Sequence, residues 1–312
     1  MISKREFDPN VDELKHRIVS DFVGNTPFVK LSEKLYAKLE SVNPGGSIKD
    51  RPVKWILDKS EQMGLIDKNS TIVEATSGNT GISLAMMGAE RGYKIKIVMP
   101  CDMSEERKTL LKMYGAELIE VDEGDFDGAI ALKDKLVQDK GYFPLNQFST
   151  PLNIECHYKT TFREIVSHSL KIGKAITAFI AGTGTGGTLM GIQKGFSEYE
   201  PRVKIVAVEP LESPVMSGGE KGLHGIQGIG DGSKFLVDLE KVDEITTIST
   251  EDAKTRAKKL CKNNGLFVGI SAGANVLASE RWIEKNNPDG IVFTILCDRV
   301  KISKSMLPIN CL

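Results

Sequence analysis

The sequence lacks the features that mark membrane, secreted or nucleic-acid-binding proteins. No apolar run approaches the ~20 residues that a spanning helix needs. The segment Met1 to Val11 is polar and charged, without the apolar stretch of a secretory signal. Neither sign of charge dominates: 41 Lys+Arg against 42 Asp+Glu leave a net charge of −1. Electrostatics therefore give no reason to expect nucleic acid or an anionic membrane as partner. Histidine is scarce, with four isolated residues and no HExxH or Cys/His cluster, so no metal site is expected. The five cysteines (Cys101, Cys156, Cys261, Cys297, Cys311) are scattered and form no CxxC. They read as reduced thiols of a cytoplasmic protein. The rest, 40% hydrophobic and 27% charged, is ordinary globular composition over 312 residues. That length fits two domains or one large one.

Short apolar runs rich in Ile, Val and Phe alternate with helix-like stretches. Strands are expected at Thr71–Ala75, Lys94–Met99, Glu117–Val121, Ala175–Ala181, Lys204–Glu209 and Ile291–Cys297. Helices are expected at Asp50–Met63, Thr80–Arg91, Glu105–Tyr114, Asp127–Asp139, Tyr158–Leu170, Thr188–Tyr199, Glu251–Asn263 and Ala274–Glu284, with Ser249 and Asp252 resembling a capping box. Such alternation implies an α/β fold with parallel sheets covered by helices. Ligands in such folds sit beyond the carboxyl ends of the strands.

Three loops carry the chemical signal. The first, Asn43-Pro44-Gly45-Gly46-Ser47-Ile48-Lys49-Asp50-Arg51, puts a lysine on a glycine turn just ahead of a helix. A lone lysine is ordinarily a surface charge. Here the helix dipole disfavours the ammonium, which suits an amine kept partly neutral for Schiff-base chemistry. The second, Glu74-Ala75-Thr76-Ser77-Gly78-Asn79-Thr80-Gly81, links a strand to a helix. Its hydroxyls, amide and free N–H groups suit a carboxylate, or serve as a capped polar turn. The third, Gly182-Thr183-Gly184-Thr185-Gly186-Gly187-Thr188, also lies between strand and helix and suits a phosphate. Gly182, Gly184 and Gly187 also satisfy GxGxxG, with Glu209 ending the next strand, so a dinucleotide site stays open.

In this order the loops resemble those of the cysteine synthase and cystathionine β-synthase family of fold-type II pyridoxal-phosphate (PLP) enzymes. The resemblance extends to Val23-Gly24-Asn25-Thr26-Pro27, Tyr36-Ala37-Lys38-Leu39-Glu40, Gln147-Phe148, His157-Tyr158-Lys159-Thr160-Thr161, Gly225-Ile226-Gln227-Gly228-Ile229-Gly230 and Gly269-Ile270-Ser271-Ala272-Gly273-Ala274. It thus covers roughly residues 20 to 298. It implies a tryptophan synthase β-like fold of two domains, with parallel-rich twisted sheets flanked by helices. The larger, PLP-binding domain would comprise residues 1–52 and 155–312, and the smaller, mobile, substrate-closing domain residues 53–154. Pyridoxal 5′-phosphate would lie in the cleft between them. The family habit is a homodimer.

The resemblance also implies roles. Lys49 would be the Schiff-base lysine and the base for the Cα proton. Asn79 would bond the PLP 3′-oxygen, and Gly184, Thr185, Gly186, Gly187 and Thr188 would cradle its phosphate. Thr76, Ser77, Gly78, Thr80 and Gln147 would hold the substrate carboxylate. Ser271 would face the pyridine nitrogen and leave it unprotonated, a weaker electron sink that favours prompt loss of the Cβ substituent. The implied reaction is β-replacement at Cβ of a serine- or cysteine-type amino acid through α-aminoacrylate, in cysteine and hydrogen sulfide metabolism.

Asp231, in Gly228-Ile229-Gly230-Asp231-Gly232, departs from the small or apolar residue usual in cysteine-forming relatives. It reads equally as a turn residue or as a general acid–base group that activates water. In the second case cysteine and water would give serine and hydrogen sulfide. The stretch Cys297-Asp298-Arg299-Val300-Lys301-Ile302 lacks the relatives' tyrosine, and no role is transferred to it. His157, His168 and His224 receive none either. Cys156, Cys261 and Cys297 read as inert core thiols, and the Lys/Glu face of the Glu105–Tyr114 helix as solvated. The remaining alternatives are a fold-type II dehydratase or threonine synthase, a nicotinamide-dependent oxidoreductase and a non-catalytic scaffold.

Overall fold

The computed structural model describes residues 18–76 and 78–299. In chain order the strands are β1 (Phe28–Lys30), β2 (Leu35–Leu39), β3 (Thr71–Ala75), β4 (Lys94–Pro100), β5 (Glu117–Val121), β6 (Phe143–Pro144), β7 (Ile176–Gly182), β8 (Lys204–Pro210), β9 (Glu244–Ile248) and β10 (Ile291–Leu296). The helices are α1 (Asp50–Gln62), α2 (Asn79–Arg91), α3 (Glu105–Met113), α4 (Phe126–Lys140), α5 (Pro151–Lys159), α6 (Thr161–Ile172), α7 (Gly187–Tyr199), α8 (Thr250–Asn264) and α9 (Ile270–Asn286).

They build two sheets. A six-stranded sheet runs β1-β2-β10-β7-β8-β9, and a four-stranded sheet runs β5-β4-β3-β6. Every pairing is parallel except the β1–β2 ribbon, where Val29 faces Ala37. β10 lies between β2 and β7, so the two ends of the described chain meet in one sheet. Each sheet is covered by helices on both faces. Along β7, Ala178 and Ile180 enter one core while Phe179 and Ala181 enter the other. On β3, Ile72 and Val73 point to opposite cores in the same way. This is the α/β, parallel-rich architecture expected.

All six expected strands are present with ends within one residue, and β1, β2, β6 and β9 are additional. β1 and β6 are too short to show a period. β2 hides because Lys38, which is fully buried, interrupts its apolar run. The expected helix Tyr158–Leu170 is two helices, α5 and α6, broken at Thr160. Thr150 caps α5 through its side chain, and Pro151 occupies the first turn. Ser249 accepts the Asp252 N–H at 3.1 Å, while the Asp252 carboxylate is engaged by Arg281.

Two surface and core assignments need correction. Cys261 is exposed rather than a core thiol; Cys156 is buried as expected. The α3 face is not wholly solvated. Lys108 is buried, donating to the Cys101 carbonyl and to Glu120, because that face packs back toward β5.

Candidate active site

Lys49 stands immediately before α1, and three contacts fix the turn that carries it. Asp50, buried in the first turn of α1, accepts the Gly45 N–H at 2.6 Å and the Ser83 hydroxyl. A Cβ on Gly45 would lie 2.4 Å from the Asp50 carboxylate, so only glycine fits there. Ile48 N–H donates to the Cys297 carbonyl at 2.8 Å, tying the turn to the end of β10.

Behind it lies a buried ion network. Arg51 donates to Glu40 at 2.7 and 2.8 Å and to Glu164 at 2.7 and 2.8 Å. Lys38 pairs with Glu164 and donates to Thr26. Burial alone would raise the Glu40 carboxyl, but Arg51 and Lys38 hold it down at about 2.

Lys49, Asn79, Gly184, Thr185, Gly186, Thr188 and Ser271 line one pocket, together with Gln227, Cys297 and Asp298. Burial lowers the Lys49 amine below its ordinary value, opposed by Asp231, Cys297 and Asp298. The Cys297 thiol is itself pushed up to about 12 by burial and stays neutral. The anions acting on Lys49 are therefore Asp231 and Asp298. Cys297 thus stays neutral, as expected of an inert thiol packed on the core, and it also forms part of the pocket wall.

The third loop closes the pocket floor. Gly186 has φ +86 and caps α7, whose first internal bond is Met190 N–H to the Gly186 carbonyl. Amides of the first turn thus precede the helical ladder, where the helix dipole favours an anion. A Cβ on Gly184 would come within 2.4 Å of the Gly228 carbonyl, and one on Gly187 within 2.0 Å of Asn153 Oδ1. Asn153 donates to Thr185 at 3.1 Å. The Thr188 hydroxyl is 3.2 Å from His157 Nε2, and His157 Nδ1 is 2.9 Å from Thr161. Burial lowers His157 to about 3, so it remains a neutral support of Thr188. Reading its sequence neighbourhood as ordinary missed this; its distance to Thr188 is a fact of the fold.

Glu209, the acid that a dinucleotide site would need, is buried and taken up by a turn. It accepts Met216 N–H at 2.8 Å and Ser217 N–H at 2.9 Å. The glycine pattern therefore lacks the free acid that the ribose contact of a dinucleotide fold would need.

The second loop runs from β3 into α2, which Gly78 caps. Thr76 accepts the Gly78 N–H at 3.2 Å, and Thr80 donates to Gln147 at 2.6 Å, both side chains being buried. Ser77 lies outside the described residues. Gln147 is set by Glu74, whose carboxylate accepts the Asn146 N–H at 2.7 Å. Burial raises that carboxyl to about 7.

Asp231 is exposed at the pocket mouth, its Oδ2 3.7 Å from the point a Gly184 Cβ would occupy. The Gly230 N–H donates to Thr183 at 3.0 Å, and His224 Nε2 lies 3.0 Å from the Gly230 carbonyl. His224 thus holds the loop that carries Asp231. No cluster of metal-binding side chains occurs among the described residues. Nor is any described helix long and apolar enough to cross a membrane.

Comparison with known proteins agrees with this geometry. The sequence pattern described as "Pyridoxal-phosphate dependent enzyme" matches residues 19–298. Cysteine synthase from Staphylococcus aureus is 41% identical over 289 residues, covering 89% of this chain and 92% of that protein. O-acetylserine sulfhydrylase isoform 3 from Entamoeba histolytica superposes with a TM-score of 0.86 at 37% identity, over 96% of this chain and 91% of that one. A hydrogen sulfide-producing enzyme from Fusobacterium nucleatum superposes with a TM-score of 0.86 at 40% identity, over 90% and 87% of the two chains. An aspartate-to-asparagine variant of that enzyme has been crystallised with an α-aminoacrylate intermediate.

Proposed function

The chain belongs to the pyridoxal-phosphate-dependent enzyme family, and from that premise we propose that it replaces the Cβ substituent of a serine- or cysteine-type amino acid. The observation that carries this reading is the convergence of Lys49, Asn79, the 184–188 loop and Ser271 on one pocket, with Asp231 over its mouth. The residues fit the cofactor. The cradle of Gly184 to Thr188 leaves no room for a Cβ at Gly184 or Gly187 and presents helix-start amides to a phosphate. Ser271 and Asn79, which line the pocket, would offer a neutral hydroxyl and an amide to the cofactor ring. When bound, PLP supplies the electron sink that acidifies the substrate Cα–H and lets the Cβ substituent leave.

The chain's own residues do the rest. Thr76, Gly78, Thr80 and Gln147, at the start of α2, hold the substrate carboxylate, and Ser77 joins this set by its place in the loop. Lys49, its amine made more basic-form-rich by burial, takes the Cα proton. Its position on a turn braced by Asp50, Cys297 and Arg51 keeps the amine aimed at one face of the substrate. The described parts of segments 1–52 and 155–312 form the larger domain and those of 53–154 the smaller one, which closes over the carboxylate and excludes water. The division is supported by the two sheets, which draw their strands from residues 28–39 with 176–296 and from 71–144 respectively. The functional unit is a homodimer, and the scattered free thiols suit a reducing cytoplasm.

The incoming group is the point at which Asp231 matters. Its carboxylate is open to solvent and its field reaches Lys49. This favours water as nucleophile: Asp231 accepts a proton from water as the oxygen adds to Cβ, and the sulfide released from cysteine leaves as hydrogen sulfide. Cysteine and water then balance serine and hydrogen sulfide. The aspartate variant of the similar sulfide-producing enzyme, caught with α-aminoacrylate, supports the same assignment. If the reading holds, Asp231→Asn slows serine formation from cysteine by roughly 100-fold or more. The cofactor band still responds to cysteine in that variant. Turnover of cysteine at the parental rate would sink the assignment and leave a synthase that adds sulfide or another thiol.

A further inference from the structure

Where the chain crosses from the smaller sheet to the larger, the first turn of α5 carries an amide with no part in the steps assigned to Lys49 and Asp231. Asn153 is buried, and its Nδ2 donates to the Gln147 carbonyl at 2.9 Å and to Thr185 Oγ1 at 3.1 Å. A carbonyl only accepts, so Gln147 settles which end of the Asn153 amide faces this way. The two partners belong to different subsites. The Gln147 side chain accepts from Thr80 in the carboxylate loop, whereas Thr185 stands in the 184–188 loop and lines the pocket with Lys49. Asn153 is itself held firmly. Its N–H donates to the Thr150 carbonyl at 3.2 Å, in the turn that Thr150 caps. Its Oδ1 fills the space that a side chain on Gly187 would need, 2.0 Å from such a Cβ. The amide is thus wedged between the loop after β6 and the start of α7.

We propose that Asn153 is a positioning residue that fixes the Thr185 hydroxyl as a donor to the cofactor phosphate, with the Gln147 carbonyl as its anchor. A threonine hydroxyl donates one hydrogen bond and accepts two. Thr185 Oγ1 accepts from Asn153 Nδ2 at 3.1 Å and from the Gly187 N–H at 3.3 Å. With both acceptor positions filled, its hydrogen is left to point into the pocket that Thr185 lines. An anionic oxygen is the complementary partner there, and a bond to it is stronger than one between neutral groups. The accepted bonds also polarise the hydroxyl and make it a better donor. Without the Asn153 amide one acceptor position of Thr185 opens, and the hydroxyl can rotate its hydrogen away from the pocket. The Gln147 carbonyl, itself buried, loses a donor at the same time.

The proposal rests on PLP being the cofactor, and the test separates the two. Wild type, Asn153→Ala, Asn153→Asp, Thr185→Val and the double variant Asn153→Ala with Thr185→Val are purified as holoenzymes. Each is stripped of cofactor and titrated with PLP and with pyridoxal, which lacks the phosphate. Asn153→Ala should bind PLP roughly tenfold more weakly, while its pyridoxal affinity stays within about twofold of wild type. Asn153→Asp keeps the shape but offers only acceptors when ionised, so it draws the Thr185 hydrogen inward. It should lose at least as much PLP affinity, and it carries the test alone if Asn153→Ala does not fold. The double variant should bind PLP no worse than Thr185→Val, since both changes act through one hydroxyl. A wild-type PLP affinity in Asn153→Ala or Asn153→Asp overturns the proposal. So does a loss shared equally by PLP and pyridoxal, or a double variant whose losses add. A wild-type protein that binds no PLP overturns the cofactor reading itself.

Discussion

At the scale of single residues, the chemistry depends on a few ionisable groups whose surroundings move them from ordinary behaviour. Lys49 is shifted toward its neutral amine by burial, and two carboxylates, Asp231 and Asp298, limit that shift. Glu74 is the clearest case with a consequence for stability. Its folded value of about 7 stands above the ordinary 4.5. Between those values the native state binds more protons than the unfolded chain, so stability falls as pH rises through that window. By pH 8 the loss is of order 3 kcal/mol. Glu74→Gln should flatten the stability–pH curve across the window, as read from urea unfolding at closely spaced pH values. A variant curve parallel to wild type would refute the account. The sequence announced Lys49 through its glycine turn, and Asp231 as an acid out of place. It could not announce Asn153, His157 or Glu74, because each acts on a residue far away in the chain. Their partners are Thr185, Thr188 and the Asn146 amide.

At the scale of elements, the strands that were legible are those rich in Ile and Val, such as β3, β8 and β10. β2 was not, since its Lys38 is buried only because Glu164 and Glu40 meet it from other segments. The helix pair α5–α6 was misread as one because the Thr160 break carries neither glycine nor proline. The same ion network links β2, α1 and α6 and so braces the turn that carries Lys49. Removing one partner leaves a buried charge without compensation. Arg51→Ala should cost about 3–5 kcal/mol of stability in denaturant unfolding, through exposure of Glu40 and Glu164 to an apolar surrounding. A loss under ~1 kcal/mol would mean that water replaces the guanidinium there, and that α1 is held by its packing alone.

At the scale of the molecule, two sheets place their strand ends toward a common site. Lys49, the 184–188 loop and Ser271 come from elements of the larger sheet, whereas Asn79, Thr80 and Gln147 come from those of the smaller. The chain alternation and glycine loops made this architecture readable in advance. The pairing of β2 with β10, which unites distant segments, was not readable, because no local pattern encodes it. The proposed homodimer has one direct consequence. Sedimentation equilibrium of the holoenzyme should return twice the chain mass, and a single-chain mass would remove the homodimer from the account. The central claim is best tested by the absorbance spectrum of the purified protein before and after L-cysteine, with serine and sulfide assayed in the same mixture. The account predicts a visible cofactor band that shifts on cysteine, with serine and hydrogen sulfide appearing in equal amounts. A protein that retains no PLP, or a PLP-loaded protein whose band ignores cysteine, O-acetylserine and O-phosphoserine alike, would contradict it.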